Sequence, residues 1–157
     1  MKKIFIKKIM SLRDGKSKMS KSDISDSSRI NLMDNKDQIY IKIKRAKTDQ
    51  YPIPDNIDDL DYRPEALNLI NIYASFSNKS VKEILQQFSG KGFAQFKESL
   101  SDLIINDISP ITNEMNHLMN NKDEIIKILI DGSSKAQEIA NEVLIDIKKI
   151  IGINFKD

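Results

Sequence analysis

The sequence predicts a mainly α-helical fold, a helical bundle preceded by one short strand and a polar, basic loop. Three observations predict it. Apolar residues recur at three- and four-residue spacing through most of the chain after residue 33, the stripe that a helix turns towards a core. Helix start and stop signals (serines, prolines and glycines) punctuate those stripes. Near the N-terminus, by contrast, the short apolar run Ile4 to Met10 gives way to Gly15 and a cluster of serines and lysines, as a strand does when it opens into a loop.

Taken in order, Asp34 is placed to cap a helix running to about Ala46, with Ile39, Tyr40, Ile43 and Ala46 on one face. The Ile-Tyr-Ile-Lys-Ile-Lys stretch inside it also alternates as a strand would, so this segment reads either way. Thr48 to Tyr62 holds two prolines and five aspartates and reads as a connecting loop. Pro64 suits a first helical position, and Leu67, Ile70 and Ala74 follow it at helical spacing. Ser80 and Glu83 form a capping box ahead of Ile84, Leu85 and Phe88. Gly90 and Gly92 break the chain before a segment carrying Phe93, Phe96, Leu100, Leu103 and Ile104. Pro110 is expected to open a further helix. Ser134 is expected to cap the last one, in which Ala136, Ile139, Ala140, Val143, Ile147 and Ile150 trace one stripe before Gly152. These stripes are read as core, and no repeat of solenoid period interrupts them.

The bulk numbers bound the function. With 157 residues there is room for one domain or a piece of a larger one, and 39% hydrophobic with 31% charged residues is a globular composition. The absence of cysteine excludes disulfides and thiolate metal sites. No apolar run approaches the roughly 18 residues of a membrane span, and lysines interrupt the first apolar run too early for a signal peptide. A soluble, intracellular protein is expected. The net charge of +2 hides an asymmetry: residues 1–22 hold eight Lys/Arg against the single acid Asp14, so the remainder of the chain is acidic. A basic head on an acidic body suits an anion such as phosphate, although charge alone fits a solvated terminus as well.

Within that head, residues 18–22 read Lys-Met-Ser-Lys-Ser. Lysine ammonium groups are point charges on long stems, suited to following a phosphate whose charge moves during a reaction. Serine hydroxyls and loop amides add hydrogen bonds to phosphate oxygens. Gly15, just upstream, gives the loop a hinge, so that it could open to admit a nucleotide and close over the phosphates. A polar loop with no ligand accounts equally well for five such residues taken alone.

The residues around the motif narrow the reading. Lys-Met-Ser-Lys-Ser is the second signature of class I aminoacyl-tRNA synthetases. The runs IMSLRDGKSKMSKSD, SSRINLMD, IKIKRAKTD, RPEALNLINIYASFS, GKGFAQFKESLSD and DGSSKAQEIANEVL, in that order, resemble the bacterial-type tryptophan–tRNA synthetase family, organellar forms included. The resemblance covers about residues 8–152. It implies that residues 1–33 are the end of a Rossmann-like nucleotide-binding catalytic domain with its signature loop. Residues 34–62 would be a connecting helix with an acidic, proline-containing loop, and 63–157 a helical domain of anticodon-binding type. It further implies an ATP-dependent ligase that activates tryptophan and transfers it to tRNA(Trp). Lys18 and Lys21 would stabilise the departing pyrophosphate, Met19, Ser20 and Ser22 would be loop contacts to ATP, and the Ile9 backbone would lie near the adenine. For tRNA, Lys91, Gln95 and Lys97 are candidates, with Phe93 beside them read as core.

One departure stands against these agreements. Members of the family are longer, and their other half is the nucleotide-binding fold carrying His-x-Gly-His and the tryptophan pocket. The only histidine here is His117, read as a helix-face residue, so His-x-Gly-His cannot be present. Two readings follow. The chain is the C-terminal part of a tryptophan–tRNA ligase, inactive alone, whether as a fragment, a truncated gene product or one half of a split enzyme with a complementary N-terminal half, or it is a non-catalytic RNA-binding remnant. The expected partners are tRNA(Trp), ATP with Mg2+ as substrate, and tryptophan, whose pocket lies outside this chain. The family is homodimeric, but its dimer surface is largely absent here. No protein-bound metal and no membrane are expected, and the cytoplasm is expected ahead of the mitochondrial matrix. The head should also be less ordered than the helices after Pro64, because its strand lacks a sheet to pair with.

Overall fold

The computed structural model describes residues 8–153. It is mainly helical, and none of the described residues belongs to a named strand. The strand expected at Ile4 to Met10 lies mostly outside the described residues, and its end makes a single antiparallel bridge from Met10 to Lys18. Five α-helices follow: α1 (Lys36–Lys44), α2 (Pro64–Ser77), α3 (Val81–Phe88), α4 (Phe93–Asn120) and α5 (Lys122–Ile150). The chain forms two compact units, Met1–Asn113 and Glu114–Asp157.

In the first unit the helices form for local reasons that the packing then uses. α1 is helical throughout, which settles the ambiguity of its alternating stretch: Ile39, Ile43 and Ala46 are buried while Tyr40 and Ile41 face out. Its cap is Asn35, not Asp34. The Asn35 side chain accepts from the Gln38 amide at 2.9 Å, and the Gln38 side chain accepts from the Asn35 amide at 2.8 Å. Asp34 is unavailable because it is buried as the counterion of Lys42, 2.7 Å away.

α2 starts at Pro64, where a missing N–H costs nothing, and ends at Asn78 with φ 56°, a conformation that asparagine tolerates. The loop before it is pinned by a bidentate pair, Arg63 donating to Asp49 at 2.8 and 2.6 Å. α3 carries the expected capping box of Ser80 and Glu83. Between α2, α3 and α4 lies an aromatic cluster. Tyr73, Phe88 and Phe96 stand 5.0–5.4 Å apart, centroid to centroid, with Phe93 6.2 Å from Phe96. Leu69, Ile70, Ile84, Leu85, Leu100 and Ile104 complete a dry core.

Two expected boundaries are absent. Pro110 opens no helix and lies inside α4. Ile104 and Ile108 before it and Thr112 after it are all buried on the same unit, and the Thr112 hydroxyl donates to the Leu32 carbonyl at 2.6 Å. Packing on both sides outweighs one lost backbone hydrogen bond. Nor does Ser134 cap a helix. α5 begins at Lys122, with Asp123 and Glu124 in its first turn, and runs through Gly132-Ser133-Ser134. The Ser133 hydroxyl donates back to the Ile130 carbonyl at 3.0 Å, as a mid-helix serine does. The stripe expected as core on α5 is exposed: no α5 residue is buried, and Ile139, Val143, Ile147 and Ile150 show 68, 56, 47 and 83% of their surface.

Candidate functional site

Residues 9–19 fold into a hairpin. The Ser11 amide donates to the Ser17 carbonyl at 2.8 Å and the Met19 amide to the Ile9 carbonyl at 3.1 Å. At the turn, the Asp14 carboxylate accepts from the Lys16 amide at 3.0 Å and from the Ser17 hydroxyl. The Ser17 hydroxyl bond, chiefly, holds the Asp14 carboxyl below its ordinary value. The hairpin is carried by α2 and by the C-terminal end of α1. The Lys47 amide donates to the Leu12 carbonyl at 2.7 Å, and Leu12 is buried in the core.

Two contacts fix the hairpin on α2. Asn68, itself buried, uses its primary amide as a neighbouring strand would use its peptide group. Its Oδ1 accepts from the Met10 amide at 2.8 Å, and its Nδ2 donates to the carbonyls of Met10 at 2.9 Å and Ser11 at 3.3 Å. Edge pairing by a side chain thus satisfies backbone groups that otherwise need a sheet. Gly15 rests against the first turn of α2. A Cβ there would lie 2.5 Å from both the Glu65 nitrogen and the Pro64 carbonyl carbon. Glu65 is held below its ordinary pKa first by Lys47, 3.0 Å away, and also by the Gly15 amide.

The hairpin delivers Lys18 and Met19 from its second arm, and Ser20, Lys21 and Ser22 follow in the turn beyond. Met19 and Ile9 are half-buried and pack against the core, anchoring the segment. Lys18 and Lys21 point the other way. Both are exposed, and among the described residues neither ammonium group meets a carboxylate. The Ser20 and Ser22 hydroxyls are 2.9 Å apart, and the Ser22 amide donates to Ser20 Oγ at 3.3 Å. Two unneutralised cations beside two hydroxyls form a surface that an anion with several oxygens can occupy. The structure therefore brings Ile9, Lys18, Met19, Ser20, Lys21 and Ser22 together.

A family model described as class I tRNA synthetases (W and Y) matches residues 1–107. The chain belongs to that family. Among its curated relatives are the tryptophan–tRNA ligases of Rhizobium meliloti, 48% identical over 145 residues, and Rickettsia prowazekii, 47% identical over 149. Each match covers 92% of this chain but 41 or 43% of the relative, so the chain spans about two-fifths of the length of the curated relatives it matches. Among solved structures, tryptophanyl-tRNA synthetase from Mycoplasma pneumoniae superposes with a TM-score of 0.69 at 24% identity, covering 94% of this chain and 46% of that one, and shares its fold. The Campylobacter jejuni enzyme, complexed with ADP and tryptophan, gives the same TM-score at 25% identity, covering 92% of this chain and 43% of that chain.

The remaining residues singled out from the sequence sit elsewhere on this member of the class I family. Gln95 and Lys97 line a cavity of about 620 Å3 together with Tyr40, Lys44, Thr48 and Phe93; Lys91 does not. Lys91 is exposed, its Nζ 5.3 Å from the Phe88 ring centroid. Lys97 turns inward, donating to the Ala46 carbonyl at 2.6 Å and the Lys44 carbonyl at 3.4 Å, and so satisfies carbonyls at and just beyond the end of α1. Burial pushes its pKa down. Phe93 is buried in the aromatic cluster. His117 is half-exposed and sits 3.1 Å from Glu124. Among the described residues no group of three or more His, Cys, Asp or Glu could hold a metal, and no helix is long and apolar enough to cross a membrane.

Asn68 escaped the sequence reading, although its position carried a signal. An asparagine in the middle of Glu-Ala-Leu-Asn-Leu-Ile-Asn-Ile-Tyr is a poor helix former inside an apolar helix, and such a residue needs a tertiary reason to be there.

Proposed function

We propose that this chain is the C-terminal part of a tryptophan–tRNA ligase and supplies the mobile phosphate-binding arm of its active site. The ligase forms tryptophanyl-adenylate from tryptophan and ATP with Mg2+, and then transfers the tryptophan to tRNA(Trp). The observation that carries this reading is the pair of exposed lysines, Lys18 and Lys21, which meet no carboxylate among the described residues and follow a hairpin whose apolar side chains are anchored. In the first step the tryptophan carboxylate attacks the α-phosphate and the bond to the β-phosphate breaks. Negative charge grows on the leaving pyrophosphate, and two ammonium groups already in place favour that state over the ground state. Met19 and Ile9 contribute by position, with Ser20 and Ser22 as hydrogen-bond donors to phosphate oxygens. Lys91, Gln95 and Lys97 lie on the helical part assigned to tRNA. In this division residues 1–33 complete the catalytic domain, 34–62 connect, and 63–157 face the tRNA.

The test is tryptophan-dependent exchange of pyrophosphate into ATP. The purified 157-residue chain is expected to give no exchange above background, because the tryptophan pocket and the His-x-Gly-His motif lie in the other half. Adding that half as a separate polypeptide should restore exchange. Exchange by the chain alone, or none with both halves present, would overturn the proposal.

A further inference from the structure

Just beyond the signature, five polar side chains form one continuous network. Lys42 of α1 is almost completely buried (7% exposed), and its Nζ lies 2.7 Å from Asp34 Oδ2 and 2.7 Å from Asp26 Oδ2. Asp34 is equally buried and accepts from the Asn31 amide at 2.8 Å. Asp26 belongs to a single 3-10 turn (Asp26–Ser28) that begins four residues after Ser22, and its side chain is 61% exposed. Its second oxygen accepts from Asn31 Nδ2 at 2.8 Å and lies 3.4 Å from Arg29 Nη2. Arg29 in turn donates to the carbonyls of Asp23 at 3.0 Å and Ser25 at 3.4 Å, the peptide groups that follow the signature.

The arrangement is asymmetric in a useful way. A buried lysine needs one counterion, and leaving it without one is strongly destabilising. Lys42 has two. Asp34 is fixed and dry, whereas Asp26 is open to water. Asp26 can therefore leave without stranding a buried charge, because Lys42 keeps Asp34. Losing Asp26 removes the ion pair between the 3-10 turn and α1 and loosens the partner of Arg29, which holds the chain from Asp23 to Ser25. It leaves the turn's C-terminal end held by the Leu12 amide, which donates to the Ser28 carbonyl at 2.9 Å. The joint is weak by design of its surroundings, since an ion pair with one exposed member is worth little.

We propose that Asp26 and Lys42 are positioning residues for the signature loop, a releasable clasp that closes its downstream arm on α1 and so sets where Lys18 and Lys21 present their charge. The proposal rests on the reading of Lys18 and Lys21 as pyrophosphate ligands, and its test separates the two. In the 157-residue chain, Asp26→Asn should raise hydrogen exchange of amides 20–28 by about fivefold, the share of an exposed ion pair, while amides of α2 stay unchanged. Asp26→Glu, which keeps the carboxylate, should restore protection. Binding of inorganic pyrophosphate should weaken severalfold in Asp26→Asn and recover in Asp26→Glu. Unchanged exchange at 20–28, or faster exchange spread equally over α2, overturns the clasp. So does unaltered pyrophosphate affinity in Asp26→Asn when Lys18→Ala and Lys21→Ala lose it. If the unaltered chain binds no pyrophosphate, or the lysine variants bind it as well as the unaltered chain, the ligand reading fails, and the exchange comparison still decides the clasp.

Discussion

Lys18 and Lys21 are exposed and, like Lys16 at the hairpin turn, meet no carboxylate among the described residues. Asp14 is occupied by the Ser17 hydroxyl and the Lys16 amide, and Lys47, beyond α1, by Glu65. With both halves of the ligase present, Lys18→Ala and Lys21→Ala are expected to slow adenylate formation, by roughly tenfold or more for each lost charge contact. On the proposed role, in which the charge is used as pyrophosphate separates, tryptophan affinity should change little. Single-turnover kinetics read beside tryptophan titration check this: a collapse of tryptophan affinity with an unchanged chemical step would reassign the lysines. At this scale the sequence was readable where a residue acts through its own chemistry. It was not readable where two residues compete for one task. Asp34 and Asn35 can both cap α1, and only the buried charge of Lys42, eight residues on from Asp34, decides that Asp34 is taken.

Three carboxylates around the hairpin make contacts that depend on their ionisation: Asp14 within its turn, Asp26 between the 3-10 turn and Lys42 of α1, and Glu65 between α2 and Lys47. Asp14, Asp26 and Glu65 all have pKa values depressed from their ordinary 3.8, 3.8 and 4.5, chiefly by Ser17, Lys42 and Lys47 respectively. A carboxyl whose folded pKa lies below its unfolded one adds stability that is fully present above the unfolded value and is lost as pH falls through the folded one. Stability should therefore be level from neutral pH down to about 5 as far as these groups contribute, and decline below about 4. The decline should be felt first in the hairpin. Amide exchange of residues 9–28 measured at pH 4 and below, against that of residues 96–108 of α4, checks the order; simultaneous loss of both would show that the hairpin is not separately sensitive. Elements whose ends are set by near neighbours, such as the Ser80–Glu83 box of α3 and Pro64 at the start of α2, could be read directly. Pro110 and Ser134 misled for different reasons. The cost of Pro110, about 3 kcal/mol in a helix interior, is offset by the packing of Ile104, Ile108 and Thr112 around it, whereas Ser134 states only a modest local preference inside a helix already propagating.

Across the whole molecule the two units invite different expectations. The first has a dry core, and its buried positions match the sequence stripes closely at Ile70, Ala74, Ile84, Leu85, Phe96 and Leu100. In the second, the stripe on α5 is as regular but uncovered, and periodicity cannot tell a face turned to a core from one turned to water. Substitutions there should be nearly silent in the isolated chain: Ile139→Lys and Val143→Glu should each change the unfolding free energy by less than about 0.5 kcal/mol. Leu100→Ala in the first unit should cost about 2–5 kcal/mol. Urea titration distinguishes the two. Equal losses would mean that α5 is covered in solution.

Gly15 has a consequence for what sequences this fold admits. With backbone atoms of Pro64 and Glu65 2.5 Å from where any Cβ would be, no rotamer choice relieves the crowding, because the obstacle is present before a side chain begins. The usual gradation from conservative to radical replacement disappears, and alanine is already on the wrong side of the boundary. A saturation library across residues 9–23, sorted only for protease resistance and never for activity, should return many letters at Lys16, Lys18 and Lys21. At position 15 it should return one.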